Sequence, residues 1–141
     1  MTKMNNIFLS SQRVDSEYTS ILVRKLREEG FHVNHSPQNP LDGYDPRWRD
    51  WYERGLDEAL DSANIFIMVI DYGWDASTWM AQEADSALKR FERGQIREMY
   101  YLNPDNTNLH AGGMLRYLKQ QLPDDFDTLV EVLKGSIGTS A

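Results

Sequence analysis

Short apolar runs alternate along the chain with longer stretches whose apolar residues recur at helical spacing. Ile7-Phe8-Leu9 is the first run and ends at polar Ser10-Ser11-Gln12-Arg13. A run this short, bounded by turn residues, reads as a buried strand of the kind found in parallel sheets. Asp15 or Ser16 can cap the helix that follows, in which Tyr18, Leu22 and Leu26 keep helical spacing with Ile21 beside them. Gly30 stands where a left-handed C-terminal cap belongs, and Phe31-His32-Val33 is a second short strand. Residues 34–45 hold Pro37, Pro40 and Asp42-Gly43 and read as a loop, long for a single compact unit. Asp45-Pro46 then starts a helix, with Asp as N-cap and Pro in the first helical position. Its stripe is Trp48, Trp51, Tyr52, Leu56, Ala59 and Leu60.

Residues 65–70 are all apolar and predict a central strand covered on both faces. Residues 71–76 lead into a further helix with Ser77 as N-cap, an inward face of Met80, Ala84, Ala87, Leu88 and Phe91, and a stop at Gly94. Residues 96–102 are a fourth strand, halted by Asn103-Pro104. Residues 114–118 are read as the fifth strand, with a short helix as the alternative. Asp124 or Asp125 caps a last helix with Phe126, Leu129, Val130 and Leu133 inward, and the chain frays from Gly135. Strands alternating with helices predict an α/β fold with right-handed crossovers. Five strands in this length suggest a flavodoxin-like three-layer αβα sandwich, with a parallel sheet in the order 2-1-3-4-5. In such sheets ligands bind beyond the carboxyl ends of the strands, which brings Ser10 to Arg13 beside residues 71–77.

Composition narrows the chemistry. The 141 residues suit one domain, read as 1–141 with its core over about 6–134, and leave no room for separate cofactor and substrate domains. Fifteen Lys and Arg against 22 Asp and Glu give a net charge of −7, and no basic run exceeds two residues, which argues against duplex nucleic acid as partner. The chain has no cysteine, so disulfides, thiolate metal sites and cysteine nucleophiles are excluded. His32, His35 and His110 are scattered, and no metal site is expected from them. The polar first residues and the absence of an apolar run near the roughly 20 residues of a membrane span predict a soluble cytoplasmic protein with no membrane partner.

Neither a Gly-x-Gly-x-x-Gly fingerprint nor a phosphate-binding P-loop is present. What remains is Glu83 with Trp79 one turn before it, on one face of the third helix and at the border of its core stripe. A carboxylate beside an indole can stabilise or attack a developing oxocarbenium ion while the indole stacks on a flat ligand. The plain alternative is a solvated glutamate favoured by the helix N-terminus. Arg13 can hold a phosphate bidentately, or be an ordinary exposed arginine. Trp48, Trp51 and Tyr52 are read as core-facing aromatics, with an aromatic cage as the alternative.

Five blocks, in order, resemble the Toll/interleukin-1 receptor (TIR) domain. They are Ile7-Phe8-Leu9-Ser10-Ser11-Gln12-Arg13, the Leu26 to Val33 passage through Gly30-Phe31, Leu41-Asp42-Gly43, Ala59 to Asn64 before the apolar strand, and Ser77-Thr78-Trp79-Met80-Ala81-Gln82-Glu83. The last is similar to the family's Ser-x-Trp-x-x-x-Glu, whose Glu is the catalytic carboxylate in members that cleave NAD.

The resemblance implies an NAD glycohydrolase or ADP-ribosyl cyclase with Glu83 at the ribosyl C1′. Ser10, Ser11 and Arg13 would line the phosphate and ribose side, and Trp79 and Trp74 would stack on a base. NAD would be substrate, and no bound cofactor is implied. Stand-alone bacterial members of this size are associated with defence signalling, and many self-assemble to complete the site, so a homo-oligomer or TIR–TIR assembly is expected. Two other readings stay open. A nucleoside 2-deoxyribosyltransferase-like protein or nucleotide N-glycosidase would use Glu83 with Asp71 or Asp75 as supporting acid. A non-catalytic TIR adaptor would act by homotypic association alone. A dinucleotide diphosphate is anionic, so local cations such as Arg13 must offset the field of a −7 surface.

Overall fold

The central apolar runs become strands because helices on both sides of the sheet bury them. The computed structural model describes residues 5–11, 16–35, 46–71, 78–109 and 112–137. In chain order the elements are β1 (Asn6–Ser10), α1 (Glu17–Glu28), β2 (His32–His35), α2 (Pro46–Ser62), β3 (Ile65–Val69), α3 (Thr78–Glu92), β4 (Glu98–Leu102), a 3-10 turn (Gly112–Tyr117), β5 (Gln120–Gln121) and α4 (Phe126–Ile137). The strands form one parallel sheet in the order β2-β1-β3-β4-β5, as the alternation predicted. Ile7 lies opposite Val33 on one side and Ile65 on the other, and Ser10 lies opposite Met68.

Alternation along the strands builds two cores. Ile7, Leu9, Ile65, Ile67 and Val69 face Leu22 and Leu26 of α1 and Leu129 and Leu133 of α4. Phe8, Phe66, Met68 and Ile70 face Leu56 and Leu60 of α2 and Met80, Ala84 and Ala87 of α3. Every residue of β3 is buried, which is why its apolar run shows no alternation in sequence. Across the α2–α3 seam, Arg90 is nearly buried and reaches Asp61 at 2.8 Å and Asp57 at 3.4 Å. Its guanidinium also donates to the Ser86 carbonyl at 3.2 Å, so helix-to-helix register is tied by one forked donor.

Helix ends follow local chemistry. The Ser16 hydroxyl accepts from the Thr19 amide at 3.3 Å, so Ser16 caps α1. At the other end Gly30 takes φ +96°, where its amide donates to the Arg27 carbonyl and the Phe31 amide donates to the Leu26 carbonyl, both at 3.1 Å. That pairing is a Schellman cap, and Phe31 and Leu26 are buried in the same cluster. Asp125 caps α4, accepting from the Thr128 amide at 2.9 Å and hydroxyl at 2.7 Å, and these bonds hold its carboxyl below the usual range. The N-caps expected at Asp45 and Ser77 lie outside the described residues.

Two expectations from the sequence are corrected. Residues 114–118 are not a strand: a 3-10 turn spans Gly112–Tyr117, and the fifth strand is Gln120–Gln121. A strand would bury alternate residues, whereas Met114 and Tyr117, three apart, are buried and Leu115 is exposed. Three-residue spacing suits a helix of three residues per turn. Nor does the last helix fray from Gly135, since α4 continues to Ile137.

Tyr18 sits beside Phe126 with ring centroids 5.2 Å apart, and its buried hydroxyl has no hydrogen-bond partner among the described residues. Burial, and then the Asp124 carboxylate, push its phenol up from 10.0 to about 12. A raised phenol contributes stability that is complete below pH 10.0 and declines as the pH rises through about 12. Tyr18→Phe removes an unpaired polar atom, so urea unfolding near neutral pH should show equal stability or a gain of up to about 1 kcal/mol. The same melts near pH 11 (roughly midway through that window) should show a shallower alkaline decline than the parent chain.

Candidate active site

The carboxyl end of β1 delivers two serines to the edge of the sheet. Ser10 is completely buried on the face that carries Phe8, a strand position where alternation would otherwise favour an apolar side chain. Glu83 approaches it from the N-terminal part of α3, between the core residues Met80 and Ala84. The Ser10 hydroxyl donates to Glu83 Oε1 at 2.7 Å, and Glu83 is 0% exposed. The solvated-glutamate alternative is therefore ruled out, and so is a place for Glu83 at the border of the core. Its carboxylate is inside. Taking a carboxylate out of water is unfavourable unless it gains hydrogen bonds or charge partners, so such a group is rarely placed for packing alone.

A second pair lies beside the first. The Ser11 hydroxyl donates to Asp71 Oδ2 at 2.9 Å, where Asp71 follows β3 and is half-buried. The two serine–carboxylate pairs thus both stand at the carboxyl ends of β1 and β3. The strand order reverses between these two strands, because the chain leaves β1 for β2 and returns to β3 on the other side. Ligand sites of open α/β sheets form at such a reversal.

Of the other residues singled out from sequence, Arg13, Trp74 and Asp75 lie outside the described residues. Trp79 is in the first turn of α3, four residues before Glu83, and its side chain lies outside them too. His32 is exposed and His35 half-buried, and among the described residues no three His, Asp or Glu side chains gather as a metal site. A groove of about 530 Å³ between α1 and α4, lined in part by Ile21, Arg24 and Phe126, shares no residue with the serine–carboxylate pairs. No described helix is long and apolar enough to cross a membrane.

Sequence reading missed the pairing itself. Ser10 and Glu83 are 73 residues apart and meet only in the tertiary fold. The available signal was a serine on the inward face of a buried strand.

A parallel five-stranded sheet in the order β2-β1-β3-β4-β5, with a buried acid at its strand reversal, defines a flavodoxin-like α/β fold. The family model for the TIR domain matches residues 7–130, and the chain belongs to the TIR domain family. No curated protein matches the chain significantly. Solved structures with a similar fold include TIR domains from the activated Roq1 resistosome that directly recognises the pathogen effector XopQ, at 15% identity over 93% of this chain and 71% of that one, with a TM-score of 0.55. The TIR domain heterodimer of RPS4 and RRS1 is similar at 15% identity, 93% and 95% coverage and a TM-score of 0.57. A 2-deoxyribosyltransferase from Bacillus psychrosaccharolyticus is similar at 18% identity, 86% and 88% coverage and a TM-score of 0.62.

Proposed function

We propose that the chain cleaves the nicotinamide–ribose bond of NAD, with Glu83 as the catalytic carboxylate. The observation that carries this reading is the buried bond from Ser10 to Glu83 at the strand reversal, 2.7 Å long. NAD is substrate here, not a resident cofactor. In the reaction the C1′–N bond breaks and its electron pair goes to the pyridinium nitrogen, so nicotinamide leaves neutral. The ribosyl C1′ becomes electron-poor, and Glu83 stabilises that charge or bonds to it. Water then adds at C1′ and loses a proton, giving ADP-ribose. Attack by an adenine nitrogen instead gives a cyclic product. Ser10 orients the carboxylate as its hydrogen-bond donor.

A carboxylate with no exposure cannot touch a substrate until its surroundings open. Turnover is accordingly assigned to an assembled state, in a cytoplasmic signalling or defence role. The TIR domains of the Roq1 resistosome and the RPS4–RRS1 heterodimer, which share the fold, occur in such assemblies. Arg13, Trp74 and Trp79 are proposed to hold the diphosphate and a base, with Asp75 as a supporting acid.

The fold of a 2-deoxyribosyltransferase is also similar, and that chemistry breaks the same class of bond, from an anomeric carbon to a base nitrogen. Purified protein, dilute and at high concentration, should be incubated with NAD and in parallel with deoxynucleosides and nucleotides, following released base by chromatography. Nicotinamide release from NAD that rises more than proportionally with protein concentration is the expected result. Release from nucleosides or nucleotides alone replaces this reading with the transferase or glycosidase one. No release from any of them, even under crowding, leaves a non-catalytic adaptor.

A further inference from the structure

Ser10 ends β1 and Ser11 follows it, and each holds a carboxylate from a different part of the chain. Side chains alternate across a strand, so neighbours leave on opposite faces of the sheet. Phe8 lies in the core against α2 and α3, while Ile7 and Leu9 lie in the core against α1 and α4. Continuing that alternation sends Ser10 to the α3 side, where Glu83 meets it, and Ser11 to the α1 side. On β3 the residues 66, 68 and 70 face α3 and the residues 65, 67 and 69 face α1. Asp71 is next in that second series. The Ser11–Asp71 bond of 2.9 Å agrees with both residues sharing one side.

Glu83 and Asp71 therefore flank the carboxyl ends of β1 and β3 from opposite faces of the sheet. A ligand lying across the strand reversal would have one carboxylate on each side. We propose that Asp71 binds the 2′-hydroxyl of the substrate ribose and so selects a ribosyl over a 2′-deoxyribosyl group. The proposal rests on Glu83 being the reacting carboxylate.

The chemistry of the pair supports this assignment. An ionised carboxylate accepts hydrogen bonds and cannot donate them, so its natural ligands are hydroxyl and N–H donors. Ser11 already presents a hydroxyl to it, the same group a sugar offers. A carboxylate can accept several bonds at once, so the Ser11 donor and a sugar hydroxyl are compatible. The 2-hydroxyl adjoins the anomeric carbon, and its hydrogen bonds strengthen as that carbon becomes cationic. With Glu83 serving C1′ from the α3 side, an acceptor on the other side suits the neighbouring hydroxyl. Asp71 is also the more accessible of the two acids, being half-buried where Glu83 is fully buried.

The test compares the parent chain with Asp71→Asn and Asp71→Ala. Asparagine keeps an acceptor for Ser11 and nearly the same volume, so it separates recognition from folding if the alanine variant is unstable. Both variants should lower kcat/KM for NAD by about 10- to 100-fold, the range for losing a hydrogen bond to a charged group. Turnover of the NAD analogue with 2′-deoxyribose on the nicotinamide side should change by less than about threefold. Equal losses on both substrates would overturn the proposal, because a merely structural role cannot tell the sugars apart.

Calorimetric binding of ADP-ribose gives a readout that needs no turnover. Its Kd should rise about 10- to 100-fold in Asp71→Asn. An unchanged Kd, or no binding to the parent chain, overturns the proposal. If the parent chain binds ADP-ribose through Asp71 but releases no nicotinamide from NAD, the hydrolase reading fails while the hydroxyl-binding assignment stands.

Discussion

Glu83→Gln should lower nicotinamide release from NAD by about 10²- to 10⁴-fold while the protein stays folded. Glutamine keeps the volume of the side chain and retains a carbonyl oxygen for the Ser10 hydroxyl, which lies 2.7 Å from Glu83 Oε1. What it removes is the negative charge that balances a cationic C1′. If Glu83 were merely a packing residue in the core, the same change would leave turnover untouched. Glu83→Ala is the less informative variant. It empties a fully buried position and strands the Ser10 hydroxyl, so it loses stability as well as activity. Release of nicotinamide by chromatography, read together with a thermal melt of each variant, separates the two effects. Unaltered Tm with lost turnover assigns the charge to catalysis.

The largest expected loss of stability comes from the centre of the sheet. Phe66→Ala should destabilise the chain by about 3–5 kcal/mol. Phe66 is 0% exposed on β3, stacked on Phe8 of β1 with ring centroids 5.9 Å apart and planes within 7°. Its removal deletes apolar burial and leaves a cavity that rigid neighbours on both adjoining strands cannot fill. A domain of this kind is stable by only about 5–15 kcal/mol, so the variant should unfold at far lower urea. Because Phe8 and Phe66 share the face that carries Ser10, loosening this layer should also cost activity. Urea titration monitored by tryptophan fluorescence reads the stability change, and a loss under about 1 kcal/mol would contradict the packing described.

How much of this was legible beforehand depended on where each signal lay. β3 was plain because both its faces are buried, which leaves a run of apolar residues with no polar interruption. β5 was invisible because Gln120 and Gln121 are exposed on the outer edge and pair only through backbone with Tyr100 and Tyr101. An edge strand needs no apolar pattern, and polar side chains there discourage pairing with another chain. The apolar residues just before it drew the strand assignment, although Met114 and Tyr117 are buried at helical rather than extended spacing.

The site divides in the same way. Glu83 stood out through Trp79 one helical turn before it and through the resemblance of residues 77–83 to a TIR motif, and both signals are local. Its burial was not legible, since a helical wheel placed it at the border of the core. That border is closed by Ser10, a residue from the first strand whose position on the inward face only the sheet register fixes. The neighbourhood of Ser11 and Asp71 was legible, since the fold class sets Ser10 to Arg13 beside residues 71–77, but the hydrogen bond between these two residues, 60 positions apart, was not. Local pattern reveals which residue types are present, and long-range pairing decides what they face.

The most direct measurement is nicotinamide release from NAD by the parent chain and by Glu83→Gln, side by side at high protein concentration. Release by the parent that disappears in the glutamine variant, with both proteins folded, is the predicted result. Equal release by the two, or release by neither, would contradict the assignment of Glu83 as the catalytic carboxylate.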